Sequence, residues 1–270
     1  MEVFHNKHQS YQVIKPWKEN FPNLMAGITT RYGGTSNPPY DTLNMGLHVN
    51  DDQKAVIENR TLLAELIQFP LESWVLGEQI HGNKIKKIEA ESPFVGAGAR
   101  TKQSAITGVD GLITKNRDTL LAAFFADCVP LYFYDPVSGW FGIAHAGWKG
   151  TVTGIAREMV NQLVGEGVSV KNLHVAIGPS IGFDRYQVNQ IVIDQIPGSY
   201  QAQVCTKLEQ TNDQYLLDLK KLNQLILIDQ AIDPEKILIS TQCTYEQSIF
   251  YSHRRDQGQT GRMLGFIGCR

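Results

Sequence analysis

The chain has 270 residues, 42% hydrophobic and 19% charged, with a net charge of −2. A chain of this length buries roughly 73% of the surface it exposes when unfolded, enough for a full core without disulfides. The charge balance excludes a general nucleic-acid binder, which carries a basic excess, and an acidic disordered chain. The longest apolar run, around Leu120–Ala126, stops at Asp127, far short of the ~20 residues of a membrane helix. The opening MEVFHNKHQSYQVIKPW has no apolar signal core. Cys128, Cys205, Cys243 and Cys269 are scattered, with no CxxC pair. These features predict a soluble, cytoplasmic protein with free thiols. No linker or repeat divides residues 1–270, so one domain is expected.

In chain order, Asp51 and Asp52 start a helix that runs to about Gln68, with Val56, Leu63 and Ile67 at helical spacing. Trp74–Ile80 and Lys84–Ile88 read as strands, and Ser92–Gly108 as a long loop. Gly111–Thr114 and Leu120–Ala126 read as buried strands. Pro130–Tyr134 and Trp140–Ala144 flank the turn sequence DPVSG and predict a hairpin. Thr151–Val164 reads as a helix with Val152, Ile155, Met159 and Leu163 on one face. Leu173–Ile177 follows as a strand, and Leu219–Ala231 as a helix ended by Asp233-Pro234. Lys236–Ile239, Ser248–Tyr251 and Met263–Ile267 close the chain as strands. Strands outnumber helices and a hairpin is present, which predicts an α+β fold with mixed sheets.

The hairpin is the first place where chemistry gathers. Pairing Tyr134 with Gly139 puts Cys128 opposite His145, and directly opposed residues share a face with Cβ atoms ~4.5–5.5 Å apart. A thiol beside an imidazole is a nucleophile with its base, a pair of metal ligands, or a buried cysteine beside a backbone-bonded histidine. His81 ends the apolar run WVLGEQI and is followed by Gly82, which lets the backbone turn and the ring enter a site. Two His and one Cys leave a fourth position free, as in catalytic rather than structural zinc centres.

After His145 the sequence HAGWKGT runs from strand to helix, with Lys149 beside two glycines, an arrangement suited to an anion. It lacks the GxxxxGK[ST] spacing of an ATP loop. Two further polar clusters are bounded by glycine. TTRYGG, with Arg31, leads to LNMGLHV, with Asn44 and His48, and SHRRD, with Arg254, leads to TGRM, with Arg262. Arginines of this kind can clamp phosphate bidentately; any one of them alone is equally a solvated ion-pair partner.

TTRYGG, LNMGLHV, EQIHG, VDGLIT, FADCVPLYFYD, IAHAGWKGT, AIGPSIG…YQV and FYSHRRD…TGRM occur in this order from about Ala26 to Phe266. Together they resemble the YfiH-type laccase-domain family, also described as polyphenol oxidases and purine nucleoside phosphorylases. The resemblance implies one domain with mixed sheets layered between helices (α-β-β-α). It implies a zinc site at His81, Cys128 and His145, with copper as the other metal. The activity implied is phosphorolysis of adenosine, inosine and methylthioadenosine to free base and (methylthio)ribose 1-phosphate, with adenosine deamination as a further activity. The partners implied are a purine nucleoside and phosphate, on a monomer or weak homodimer that takes neither nucleic acid nor membrane. Candidate substrate contacts are Arg31, Asn44, His48 and Gln79, together with Asp127, Lys149, Arg254 and Arg262. Asp127, Glu78 and His48 are the candidate proton shuttles. Ser180 stands where many members have Cys, and Lys149 where Arg is common, which keeps the charge and loses the fork. The zinc-deaminase signature HxE with PCxxC is absent. The rival readings are a copper-dependent polyphenol oxidase, a hydrolase with Cys128 as nucleophile and His145 as base, and a binding scaffold without catalysis.

Overall fold

The computed structural model describes residues 1–209 and 213–270. The chain opens with strands β1 (Phe4–His8) and β2 (Tyr11–Ile14), a short helix α1 (Lys15–Asn20) and strand β3 (Leu24–Thr29). Helix α2 (Gln53–Ile67) precedes β4 (Trp74–Leu76), β5 (Ile85–Lys87), β6 (Gly111–Thr114) and β7 (Leu120–Phe125). The hairpin β8 (Val129–Tyr134) and β9 (Phe141–Ala146) leads to α3 (Trp148–Val152), α4 (Ile155–Gly165) and β10 (His174–Ile177). There follow β11 (Gln187–Asn189), α5 (Gln190–Ile193), α6 (Gly198–Val204), β12 (Cys205–Lys207) and β13 (Gln214–Leu217). Helix α7 (Leu219–Asp229), β14 (Ile237–Ile239) and β15 (Met263–Cys269) complete the order.

Two mixed six-stranded sheets form, ordered β1-β2-β3-β15-β7-β4 and β14-β10-β8-β9-β6-β5, together with a three-stranded sheet β11-β13-β12. Side-chain alternation builds the layers. On β7, Leu121, Ala123 and Phe125 turn inward to meet Tyr132, Tyr134, Phe141 and Ile143 of the second sheet. Leu120 and Ala122 turn outward onto Leu63, Ala64 and Ile67 of α2. On the far side, Val129, Leu131 and Phe133 pack under α4 (Ile155, Met159, Leu163) and α7 (Leu222, Ile226). The result is the α-β-β-α layering expected of an α+β chain. Helix α2 starts where its sequence predicts, because the Asp52 carboxylate accepts from Lys54 N, a cap worth about 1 kcal/mol.

Four details depart from the sequence reading. The hairpin pairs Tyr134 with Phe141, so Pro130, not Cys128, lies opposite His145. Asp135 sets this register. Its N donates to Trp140 O at 2.8 Å, and its carboxylate accepts from Val137 N and Ser138 Oγ, holding a wider turn. The helix expected over 151–164 is split into α3 and α4 at Gly154, whose φ of 93° lies in the left-handed region. Residues 248–251 form a turn, not a strand; Phe250 and Tyr251 are apolar because the fold buries them, and Tyr251 OH donates to Tyr40 O. Three strands and a helix precede Asp51, where the pattern assigns none: all four residues of β2 are buried, so it lacks the half-wet alternation that marks a strand.

Candidate metal centre and its cavity

Of the four connections that cross between the large sheets, two carry a site residue. The β4–β5 connection holds His81 and the β7–β8 connection holds Cys128, while His145 lies on β9. His145 shares the inward parity of Phe141 and Ile143, and its ring lies 5.7 Å from that of Phe125. The two-residue shift in register preserves face parity, so Cys128 still turns toward His145. One ligand atom from each of His81, Cys128 and His145 lies within 4.8 Å of the others. The two imidazoles meet edge to face at 4.8 Å between centroids.

Asp110, just before β6, ties this arrangement together. Its Oδ2 accepts from Ile80 N at 3.1 Å and Gly82 N at 2.8 Å, and its Oδ1 accepts from His81 N at 3.0 Å. This nest of three successive amides holds His81 at a φ of 62°, a conformation that a non-glycine residue rarely adopts. Oδ1 also meets His145 Nδ1 at 2.9 Å, and Asp110 O accepts from His145 N. With Nδ1 committed to the carboxylate, Nε2 is left for the Cys128 side, the arrangement by which carboxylates orient ligating histidines. Gly147 follows β9 with an ordinary φ of −67°. A Cβ there would stand 3.0 Å from His81 Cδ2 and 3.1 Å from Cys128 Sγ. Glycine therefore keeps open the space into which the three ligand side chains converge.

The electrostatics agree with a ligand role. Burial pushes the Cys128 thiol up, but the charge of His145 and hydrogen bonds from both imidazoles outweigh it, leaving it at about 6. Burial pulls His145 down, while Cys128 and Asp110 hold it above its ordinary value, at about 9. Two nitrogens and a thiolate facing one point are the donor set of an open zinc centre, and they suit copper as well.

The cluster lies in the wall of a cavity of about 600 Å³. His48, Gln79, Asp127, Arg254 and Arg262 line it, as does Glu78. Two of these are already spent on the protein. Gln79 Nε2 donates to Phe124 O and its Oε1 accepts from Phe124 N. Asp127 accepts from Thr244 Oγ1 at 2.6 Å and from Arg254 N at 2.8 Å. Arg31, Asn44 and Lys149 lie outside the lining. Arg31 pairs with Asp41 at 3.2 Å; buried Asn44 bonds Asp51 and accepts from Arg262 N. Lys149 is exposed, over the Trp148 ring.

Residues 25–270 match the family described as multi-copper polyphenol oxidoreductase laccase. The chain belongs to this laccase family. Among relatives, it is 43% identical over 263 residues to a protein of Bacillus subtilis named purine nucleoside phosphorylase YlmD, covering 96% of this chain and 94% of that one. It is 46% identical over 253 residues to the YlmD of Geobacillus stearothermophilus, named likewise, covering 93% and 92%. The solved structure of the Geobacillus YlmD superposes with a TM-score of 0.92 at 42% identity, and that of a Bacillus licheniformis hypothetical protein YfiH with 0.94 at 40%, each covering 100% of both chains. The family and the layered fold read from the motifs are thus shown. No helix among the described residues is long and apolar enough to cross a membrane, and all four cysteines are free.

The sequence reading missed Asp110, although it lies inside VDGLIT. The signal was a carboxylate entering an otherwise apolar buried strand, where an acid needs fixed donors. It also missed Arg60 of α2, almost fully buried and part of the cavity wall.

Proposed function

We propose that this chain is a zinc-dependent purine nucleoside phosphorylase that cleaves adenosine, inosine and methylthioadenosine with phosphate. The observation that carries this reading is the convergence of His81, Cys128 and His145 on one point in the wall of a 600 Å³ cavity. The names of the relatives supply the substrate class. A bound divalent ion supplies a Lewis acid and, for the accompanying adenosine deamination, a water ionised near neutral pH.

The chain's own side chains do the rest. Phe124 and Tyr186 line the cavity and offer ring faces for a purine. Asp110 holds the proton on His145 Nδ1 and so keeps Nε2 a ligand. Asp127 has both oxygens engaged, which leaves Glu78 to exchange a proton with the leaving base. Burial, with the charge of Arg262 next, lowers His48 to about 4, so at neutral pH its imidazole is uncharged. Residues 1–270 act as one cytoplasmic unit, a monomer or weak homodimer, with neither nucleic acid nor membrane as a partner.

The test is product analysis. Metal-replete protein given inosine and phosphate is expected to release hypoxanthine and ribose 1-phosphate, and Cys128→Ala to lose that release. Absence of base release from the wild-type protein at saturating phosphate refutes the proposal. The family's description favours copper-dependent phenol oxidation as a second reading. One group of three residues that could hold a metal ion is found among the described residues, and the chain has seven His, few for a multicopper centre. Metal analysis of protein purified without added copper separates the two. The depressed Cys128 thiol favours a third reading, a cysteine-nucleophile hydrolase; zinc protection of Cys128 from alkylation counts against it and a trapped thioester for it.

A further inference from the structure

We propose that Arg60, Arg262, Lys102 and His48 form a phosphate subsite in the cavity wall, distinct from the HAGWKGT turn. The inference deepens the phosphorolysis reading by locating the second substrate, and it rests on that reading only for the use to which the anion is put. Four observations carry it. First, the four basic side chains line the same cavity as the metal cluster. Second, His48 lies close to both arginines. The Phe124 ring has the His48 ring 5.2 Å away and the Arg60 guanidinium 5.1 Å away. A Cβ on Gly46 would meet Arg262 Cγ at 3.0 Å and His48 Cε1 at 3.1 Å, so the stem of Arg262 and the His48 ring lie beside the same glycine.

Third, the guanidinium groups are held in place but not neutralised. Arg60 donates to the carbonyls of Met45, Gly98 and Ala99. Arg262 NH1 donates to Thr260 O and Gly261 O, and its Nε and NH2 have no partner among the described residues. Fourth, neither arginine nor Lys102 forms an ion pair among the described residues. Asp127 and Cys128 act on Arg262 only through space, and Arg60 is buried with no acidic group acting on it; a buried guanidinium without a counter-charge is costly, and that cost falls when an anion arrives. A phosphate dianion fits the donor set: it accepts from the free edge of Arg262, while Arg60, with one N–H left after its four carbonyl bonds, contributes mainly charge and Lys102 a mobile point charge. The HAGWKGT turn offers less, since α3 has five residues and Lys149 lies outside the cavity.

The same chemistry could come from inorganic phosphate or from the phosphoryl group of a nucleotide; the subsite is assigned to the free anion. The test titrates inorganic phosphate, and separately adenosine 5′-monophosphate, into the as-purified protein by calorimetry, with steady-state KM for phosphate and for inosine alongside. Arg262→Gln is expected to weaken phosphate about tenfold or more, as a lost charge-assisted contact should. Lys102→Ala, at an exposed position, should weaken it about threefold, because solvent screens its charge. Both should move the phosphate KM more than the inosine KM. Unchanged phosphate affinity in both variants overturns the proposal. So does phosphate binding that disappears in Cys128→Ala while surviving in both basic-site variants, which places the anion on the metal. Binding of the nucleotide without binding of free phosphate overturns it as well. If phosphate binds and weakens as expected while the wild-type protein releases no base, the subsite stands and the phosphorylase reading falls.

Discussion

Replacing Asp110 by asparagine changes one atom and should undo the metal centre. The carboxylate accepts four hydrogen bonds, two on each oxygen, at 2.8 to 3.1 Å. An amide has one acceptor oxygen, so in either orientation its NH2 faces two donors. Turned one way it opposes Ile80 N and Gly82 N and frees the backbone at His81. Turned the other way it opposes His81 N and donates to His145 Nδ1, which shifts the imidazole proton to Nε2 and removes that nitrogen as a ligand. Charge-assisted hydrogen bonds of this kind are worth about 1.5–3 kcal/mol each, and losing one or two of them predicts a stability loss of about 1.5–6 kcal/mol. Loss of an outer partner of a ligating histidine costs about 10–100-fold in metal affinity. Chelator competition measures the affinity, and urea unfolding of the metal-free protein measures the stability. If Asp110→Asn binds zinc as tightly as the wild-type protein and unfolds at the same urea concentration, the role given to Asp110 is wrong.

Gly147→Ala should abolish tight metal binding while shifting the melting temperature of the metal-free protein little. The new methyl meets two ligand side chains at 3.0 and 3.1 Å, and the backbone angle there suits any residue; chelator competition and a thermal melt check both halves. Leu63→Ala, at a fully buried α2 position against the first sheet, should cost about 2–5 kcal/mol by urea unfolding. Glu2 provides a pH test. Burial pushes its carboxyl up, but hydrogen bonds from Phe4 N, Thr241 and Ser240 outweigh this and hold it below the usual range. Such a group stabilises the fold above its unfolded pKa, and the contribution is lost as pH falls through the lowered folded value. Glu2→Gln should therefore be less stable than wild type at neutral pH and equal to it in acid; a gap that is constant across pH refutes the linkage.

The parts of this fold legible in the sequence are those set by local periodicity. Strand β7 is apolar on both faces because it is covered on both sides, and its limits follow from the run itself. Helix α2 is announced by its Asp52 cap and spacing. The hairpin turn was legible in kind but not in width, because the Asp135 side chain, rather than the glycine, decides where pairing resumes. Even so, the thiol and imidazole still meet, since a two-residue slip preserves parity. Short strands such as β2, fully buried and without alternation, carry no local signal; the sheet around them makes them strands. The gathering of His81, Cys128 and His145 was only weakly legible in their spacing, because the three lie far apart in sequence; the family motifs named them together. The cavity contacts were less legible. Arg31, Asn44 and Lys149 have the right chemistry and lie elsewhere, while Gln79 and Asp127 are present but occupied. Arg60 was hidden among the polar residues of a helix, and only the tertiary packing of α2 turns it inward.

The routing of the chain through the gap between the sheets has a mechanical consequence. His81 and Cys128 ride on two of the four spans that step from one layer to the other, and Asp110 fastens the first of these two to the strand bearing His145. An ion gripped there would act as a rivet through the sandwich. Sliding one layer over the other would distort the grip, and loosening the grip would free the layers to shear. Chemistry and architecture would then share a single point of failure, and the melting curve of the intact protein should report metal occupancy directly.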